Sequence, residues 1–123
     1  MANTINWFEI PVQNFERAKK FYGAILGRNI EEQQFGDDRM GFLSGMQEKG
    51  IGGAIVHGRG YEPSDKGALI YLNGGDDLNV MLSKVEPAGG KVVLPKTLIN
   101  EDIGFFATFI DSEGNKIALH SSK

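Results

Sequence analysis

Two helical stripes with the same internal spacing limit what this chain can fold into. Ala18, Phe21, Tyr22 and Ile25 fall at i, i+3, i+4 and i+7, the pattern of a half-buried helix. Leu78, Met81, Leu82 and Val85 repeat that pattern, each 60 residues later. The segments around the stripes repeat as well. Asn6 to Val12 suits a strand, Asn14 can cap the first helix and Gly27 can end it. A strand near Arg28 to Gln33, a turn at Gly36-Asp37-Asp38 and a strand from Met40 to Leu43 follow. After Glu48-Lys49-Gly50 comes a strand from Ile51 to His57. The second cycle opens with a strand from Ala68 to Asn73 and a turn and cap at Gly74 to Asp77. Helices are expected over Ala18 to Leu26 and Leu78 to Val85, the second closed by Gly89-Gly90. Lys91 to Leu94 is a strand. Phe105 to Ile110 and Asn115 to His120 pair through a turn at Asp111 to Gly114. Each half therefore reads β-α-β-β-β, an α+β repeat.

The halves span about 4–57 and 67–121, with Gly58 to Lys66 as the linker, and together they make one domain of 123 residues. The seventeen glycines are scattered, which suits many tight turns. A formal net charge of −3 with no block of Lys or Arg offers no phosphate-tracking stripe, so no nucleic acid is expected as a partner. No apolar stretch approaches the roughly 20 residues that span a bilayer, so no membrane is expected either. Met1 to Thr4 lead straight into a strand without a signal-peptide pattern, and there is no cysteine. These absences point to a cytoplasmic protein without disulfides or thiolate chemistry.

Six segments carry a family resemblance. They are Phe8 to Val12, Glu16 to Tyr22, Gly53 to Val56, Leu69 to Leu72, Val85 to Val92 and Asp111 to Ser121. In this order they resemble the vicinal-oxygen-chelate superfamily, which includes lactoylglutathione lyase, extradiol dioxygenases, fosfomycin-resistance enzymes and bleomycin-binding proteins. The last segment looks most like the small bacterial glyoxalase-related proteins. The resemblance implies two βαβββ repeats forming a curved mixed-sheet cup, the glyoxalase-like fold. It also implies a divalent metal held by His and Glu side chains, one from the first and one from the last strand of each half. Those positions here are Trp7, Ala54, Leu69 (or Ile70 if the register slips by one) and Ala118. None of these side chains ligates a metal. No metal and no cofactor is therefore expected, and glyoxalase-type isomerisation and oxygenation lose their usual basis.

Strand alternation carries the inward assignment further. If Trp7 faces the cup, so does Glu9. If Ala54 does, so does Val56. Leu69 brings Tyr71 and Asn73, and Ala118 brings His120. Trp7, Tyr71 and Asn73 are expected to bind a ligand, and Glu9 and His120 are the candidate catalytic pair. Trp7 and Tyr71 serve equally well as core filling or as stacking surfaces. A carboxylate in an apolar run needs a partner or water. Glu9 with His120 could move protons, since histidine titrates near neutrality, or form a stray two-ligand metal site. His57, at a strand end, reads as surface. Gly50 to Gly53 lacks the Lys-Ser/Thr and helix of a phosphate loop, and Asp111 to Asn115 lacks the length of a calcium loop.

Two functions follow. One is a metal-free module that binds a small organic molecule, as in the bleomycin-resistance branch. The other is a lyase- or isomerase-type enzyme acting through Glu9 and His120, with or without a metal. A homodimer is expected, because a small chain with open half-sheets has strand edges to cover.

Overall fold

A computed structural model of the chain describes residues 3–44 and 49–123. Glu48 of the expected turn and the first two residues of the N-terminal reading lie outside the described residues. The chain divides into two compact units, 1–63 and 64–123.

The first unit runs β1 (Trp7–Pro11), α1 (Phe15–Leu26), β2 (Glu31–Phe35), β3 (Asp38–Phe42) and β4 (Gly52–His57). Its sheet has the order β1-β4-β3-β2. β1 pairs with β4 in parallel, with Glu9 opposite Ala54 and Ile10 opposite Ile55. α1 begins where the sequence places its cap: the Asn14 side chain accepts from the backbone N–H of Arg17 at 3.0 Å. It ends at Gly27, in the left-handed region at φ 66°. The stripe Ala18, Phe21, Tyr22 and Ile25 is buried, joined by Phe15. At roughly 1.5–3 kcal/mol for each large apolar side chain, this stripe is a main source of the unit's stability.

Two boundaries moved for identifiable reasons. β2 starts at Glu31 rather than Arg28, because the helix end consumes the intervening residues. The backbone N–H of Arg28 donates to Gly23 O at 3.1 Å, so Arg28 still belongs to the cap. β3 begins at Asp38, leaving a tighter turn at Gly36 and Asp37.

The second unit repeats the plan: β5 (Ile70–Asn73), α2 (Asn79–Val85), β6 (Lys91–Asn100), β7 (Gly104–Ile110) and β8 (Lys116–Ser121). Its sheet order, β5-β8-β7-β6, matches the first, and β5 pairs with β8 in parallel. The chain is thus α+β with two βαβββ repeats, as the shared spacing implies. Leu78 ends up as the residue before α2, where its N–H donates to the Ser121 hydroxyl at 3.0 Å. The largest departure is β6, which runs six residues beyond Leu94. Proline is tolerated on an edge strand, where its missing N–H breaks no ladder. Pro95 sits on that edge, inside a register shift between Leu94 and Thr97. The turn joining β7 to β8 is fastened by Asp111, whose carboxylate accepts from the N–H groups of Glu113 (2.8 Å) and Asn115 (2.9 Å).

Candidate functional site

In each unit one face of the sheet carries the helix and the other does not. In the first, Ile10, Ile55, Gly41 and Arg39 share a face by register. That face meets α1, since Arg39 bonds Glu16 at 2.6 Å and lies 4.2 Å from the centre of the Phe15 ring. Alternation puts Trp7, Glu9, Phe42 and Ala54 on the opposite, helix-free face. In the second unit Ser121, Phe105 and Leu119 face α2. Tyr71, Asn73, Ala118 and His120 take the helix-free face.

The first unit brings Trp7 and Glu9 together and adds a residue the sequence reading missed. The Trp7 indole N–H donates to one Glu9 carboxylate oxygen at 3.3 Å, and the Tyr61 hydroxyl donates to the other at 2.8 Å. Tyr61 comes from the expected linker, turned back by its own N–H donating to Gly58 O at 3.2 Å. Its signal was present, as the one aromatic residue between Gly58 and Lys66. The indole also meets the Phe42 ring edge-on, with centroids 6.1 Å apart, yet stays 42 % exposed. Trp7 is therefore held by ring contact and hydrogen bond while keeping free surface, an arrangement suited to stacking on a flat ligand.

Both Glu9 carboxylate oxygens are thus engaged by donors, one from Trp7 and one from Tyr61. The hydrogen bond to Glu9, then the carboxylate's charge, hold the Tyr61 phenol above its ordinary value. A group raised in this way stabilises the fold below the unfolded phenol value near 10. That contribution disappears as pH rises through the higher folded value. Ultraviolet titration of the phenols in the protein and in Glu9→Leu should differ by one tyrosine titrating earlier in the variant. Superimposable curves would contradict the contact.

The second unit brings Tyr71, Asn73 and His120 together. With Leu72, Ile99 and Ile103 they line a depression of about 560 Å³, a size usual for small-molecule sites. Tyr71 is 50 % exposed, its ring tilted 6.4 Å from that of Phe106. The His120 Nε2 bonds Ile103 O at 2.7 Å. Ile103 is itself fixed by Asn100, whose side-chain oxygen accepts from the N–H groups of Asp102 (2.9 Å) and Ile103 (2.7 Å). No periodicity marks Ile103 or Asn100, since both lie at the end of the hairpin. A larger hollow of about 980 Å³ flanks α1, lined by Lys19, Lys20, Arg28 and Ile30 among others. It is a groove between surface side chains of a helix and holds none of the residues expected to bind a ligand.

The residues at the family's metal positions do not suit a metal. Ala54 and Ala118 are fully buried methyl groups, Leu69 is aliphatic, and the Trp7 N–H already donates to Glu9. Ile70 pairs with Ile117 on the core side, and Leu69 lies just before β5, so neither supplies a metal ligand there. Among the described residues no group of three or more His, Cys, Asp or Glu could hold a metal ion. His57 is exposed at the end of β4. No described helix is long and apolar enough to cross a membrane.

Comparison with known proteins agrees with this geometry. Residues 4–42 match the family described as bleomycin resistance protein-like N-terminal. A glyoxylase-like domain-containing protein of Didymella fabae is 31 % identical over 120 residues, 94 % of this chain and 91 % of its own. A glyoxalase/bleomycin resistance protein from Albidiferax ferrireducens has the same fold, with a TM-score of 0.72 at 16 % identity over 95 % of this chain and 97 % of that one. An antibiotic binding protein from Streptomyces does so with a TM-score of 0.69, at 23 % identity over 100 % and 99 %. Glyoxalase I from Zea mays is matched over 94 % of this chain with a TM-score of 0.69 and 18 % identity, but over only 45 % of its own length. The chain belongs to the vicinal-oxygen-chelate superfamily, among its glyoxalase-like proteins.

Proposed function

We propose that this protein is a single-domain, metal-free module that binds a small organic molecule on the helix-free faces of its sheets. The observation that carries the reading is Trp7, a half-exposed indole locked by Glu9 at a position where the family places a metal ligand. Tyr71, Asn73 and His120 supply polar and aromatic contacts in the second unit. The antibiotic-binding relative of the same fold is consistent with such a role. A screen of organic compounds by thermal shift tests it, since a ligand at 100 times its Kd raises stability by about 2.7 kcal/mol. Zinc, nickel, iron and manganese should leave the melting temperature unchanged and should not stay bound after desalting. A metal retained in stoichiometric amount would overturn the metal-free reading.

An enzyme of lyase or isomerase type is the second reading, and the geometry shifts its weight to His120. The Glu9 oxygens already accept two hydrogen bonds, whereas Nδ1 of His120 has no protein partner among the described residues. His120 would then be the proton carrier, with Glu9 a positioning residue.

The protein works as a cytoplasmic homodimer in this reading. β6 is a ten-residue edge strand with Val93 exposed on it, and such edges favour covering. Sedimentation should return twice the chain mass of 13.5 kDa at micromolar concentration, and the single mass would reject the dimer.

A further inference from the structure

We propose that the depression of the second unit selects ligands bearing an amide-type edge, an N–H beside a C=O, through a matched donor and acceptor on Asn73 and His120. This rests on the ligand-binding reading above and adds the chemistry of the ligand.

The assignment follows from which atoms must donate. The backbone N–H of Gly75 donates to the Asn73 side chain at 2.9 Å, so the atom it meets is the oxygen. The Asn73 amide nitrogen is therefore the group left over, and it carries two donors with no protein acceptor among the described residues. On His120 the logic is the mirror image. Ile103 O can only accept, so Nε2 of the ring carries the hydrogen. In the neutral imidazole Nδ1 is then a bare acceptor. The carbonyl holding that tautomer is itself fixed, because Asn100 anchors the N–H of Ile103 at 2.7 Å.

Asn73 and His120 are direct partners across the parallel β5–β8 pair. Their side chains rise from adjacent strands on one face, roughly 4.8 Å apart at the backbone. One donor and one acceptor side by side complement a C=O and an N–H side by side. Ile99, Ile103 and Tyr71 add apolar and aromatic wall, so the matching ligand is flat, neutral and lactam- or carboxamide-bearing. A site built to hydrogen-bond such an edge rejects an analogue that leaves Nδ1 unpaired.

The test uses the full-length protein at pH 8 and three bicyclic probes. 2-Quinolinone has the N–H and the C=O, N-methyl-2-quinolinone keeps only the acceptor, and naphthalene has neither. Binding is followed by amide chemical shifts and their titration. 2-Quinolinone should shift the resonances of Asn73, Ile103 and His120 and bind at least about tenfold more tightly than the N-methyl compound. His120→Phe should erase that difference between the two quinolinones. The three titrations of the unmodified protein stand even if the variant fails to fold. Equal affinity for all three probes at this depression would overturn the donor–acceptor pairing and leave the binding function intact. Binding confined to Trp7 and its neighbours would overturn this site alone. If no organic compound, these probes included, binds anywhere on the protein, both the proposal and the reading it rests on fail.

Discussion

Gly104→Ala should destabilise the protein by about 2–6 kcal/mol, lowering the melting temperature on the order of 10 °C. Two effects combine. Gly104 holds φ at +105°, where an L-residue is strained by about 1–3 kcal/mol. An added Cβ would also collide with Ser121 O and stand 2.8 Å from Ser122 Cα, which are backbone atoms that cannot swing aside as a side chain would. The strand would have to move, at a further cost of about 1–3 kcal/mol. Gly89→Ala is the control. Its φ is +108°, almost the same, but nothing lies within 4 Å of the added Cβ. It should show the strain alone, so the difference between the variants measures the backbone clash. Gly104 follows Ile103, so the shift would also loosen the carbonyl that holds His120. Equal losses in the two variants, measured by urea unfolding, would show that the strand absorbs the methyl group.

Trp7→Ala should weaken ligand binding by about 1–3 kcal/mol, roughly 5- to 150-fold in Kd, without unfolding the protein. The indole is half exposed, so its removal deletes a stacking surface rather than a piece of core. Glu9→Gln should have a smaller effect in the same direction. A side-chain amide has one acceptor oxygen where the carboxylate has two, so either the Trp7 N–H or the Tyr61 hydroxyl loses its partner. Titration calorimetry with a ligand from the screen measures both. Unchanged affinity in both variants would remove Trp7 from the site.

The repeat was legible because burial imposes its period on the sequence. Phe21, Tyr22 and Ile25, like Leu82 and Val85, are spaced by the helix turn that hides them. Alternation likewise put Tyr71 with Asn73 on one face of β5 and Trp7 with Glu9 on one face of β1, since each is a local property of one strand, whereas His120 joins Asn73 through the register of β5 with β8. Strand ends were harder to place. Arg28 looks extended until the cap hydrogen bond to Gly23 is seen, and Pro95 reads as a stop until its edge position is known. The partners that give the site its chemistry were not legible. Tyr61 reaches Glu9 across 52 positions and Ile103 reaches His120 across 17, both from turns, where no periodicity records what a residue will meet. Gly58 to Lys66 reads as a plain linker, yet Tyr61 and Ser64 within it are each hydrogen-bonded, Ser64 to the Asn115 side chain at 2.9 Å.

The sole tryptophan of the chain is Trp7, so its emission reports directly on the proposed site. The most direct test of metal-free binding is a fluorescence titration with a ligand from the screen, run once in excess EDTA and once in zinc or nickel. The account predicts a saturable change in Trp7 emission with the same Kd in both. A change that appears only with the metal present, and vanishes in EDTA, would contradict it.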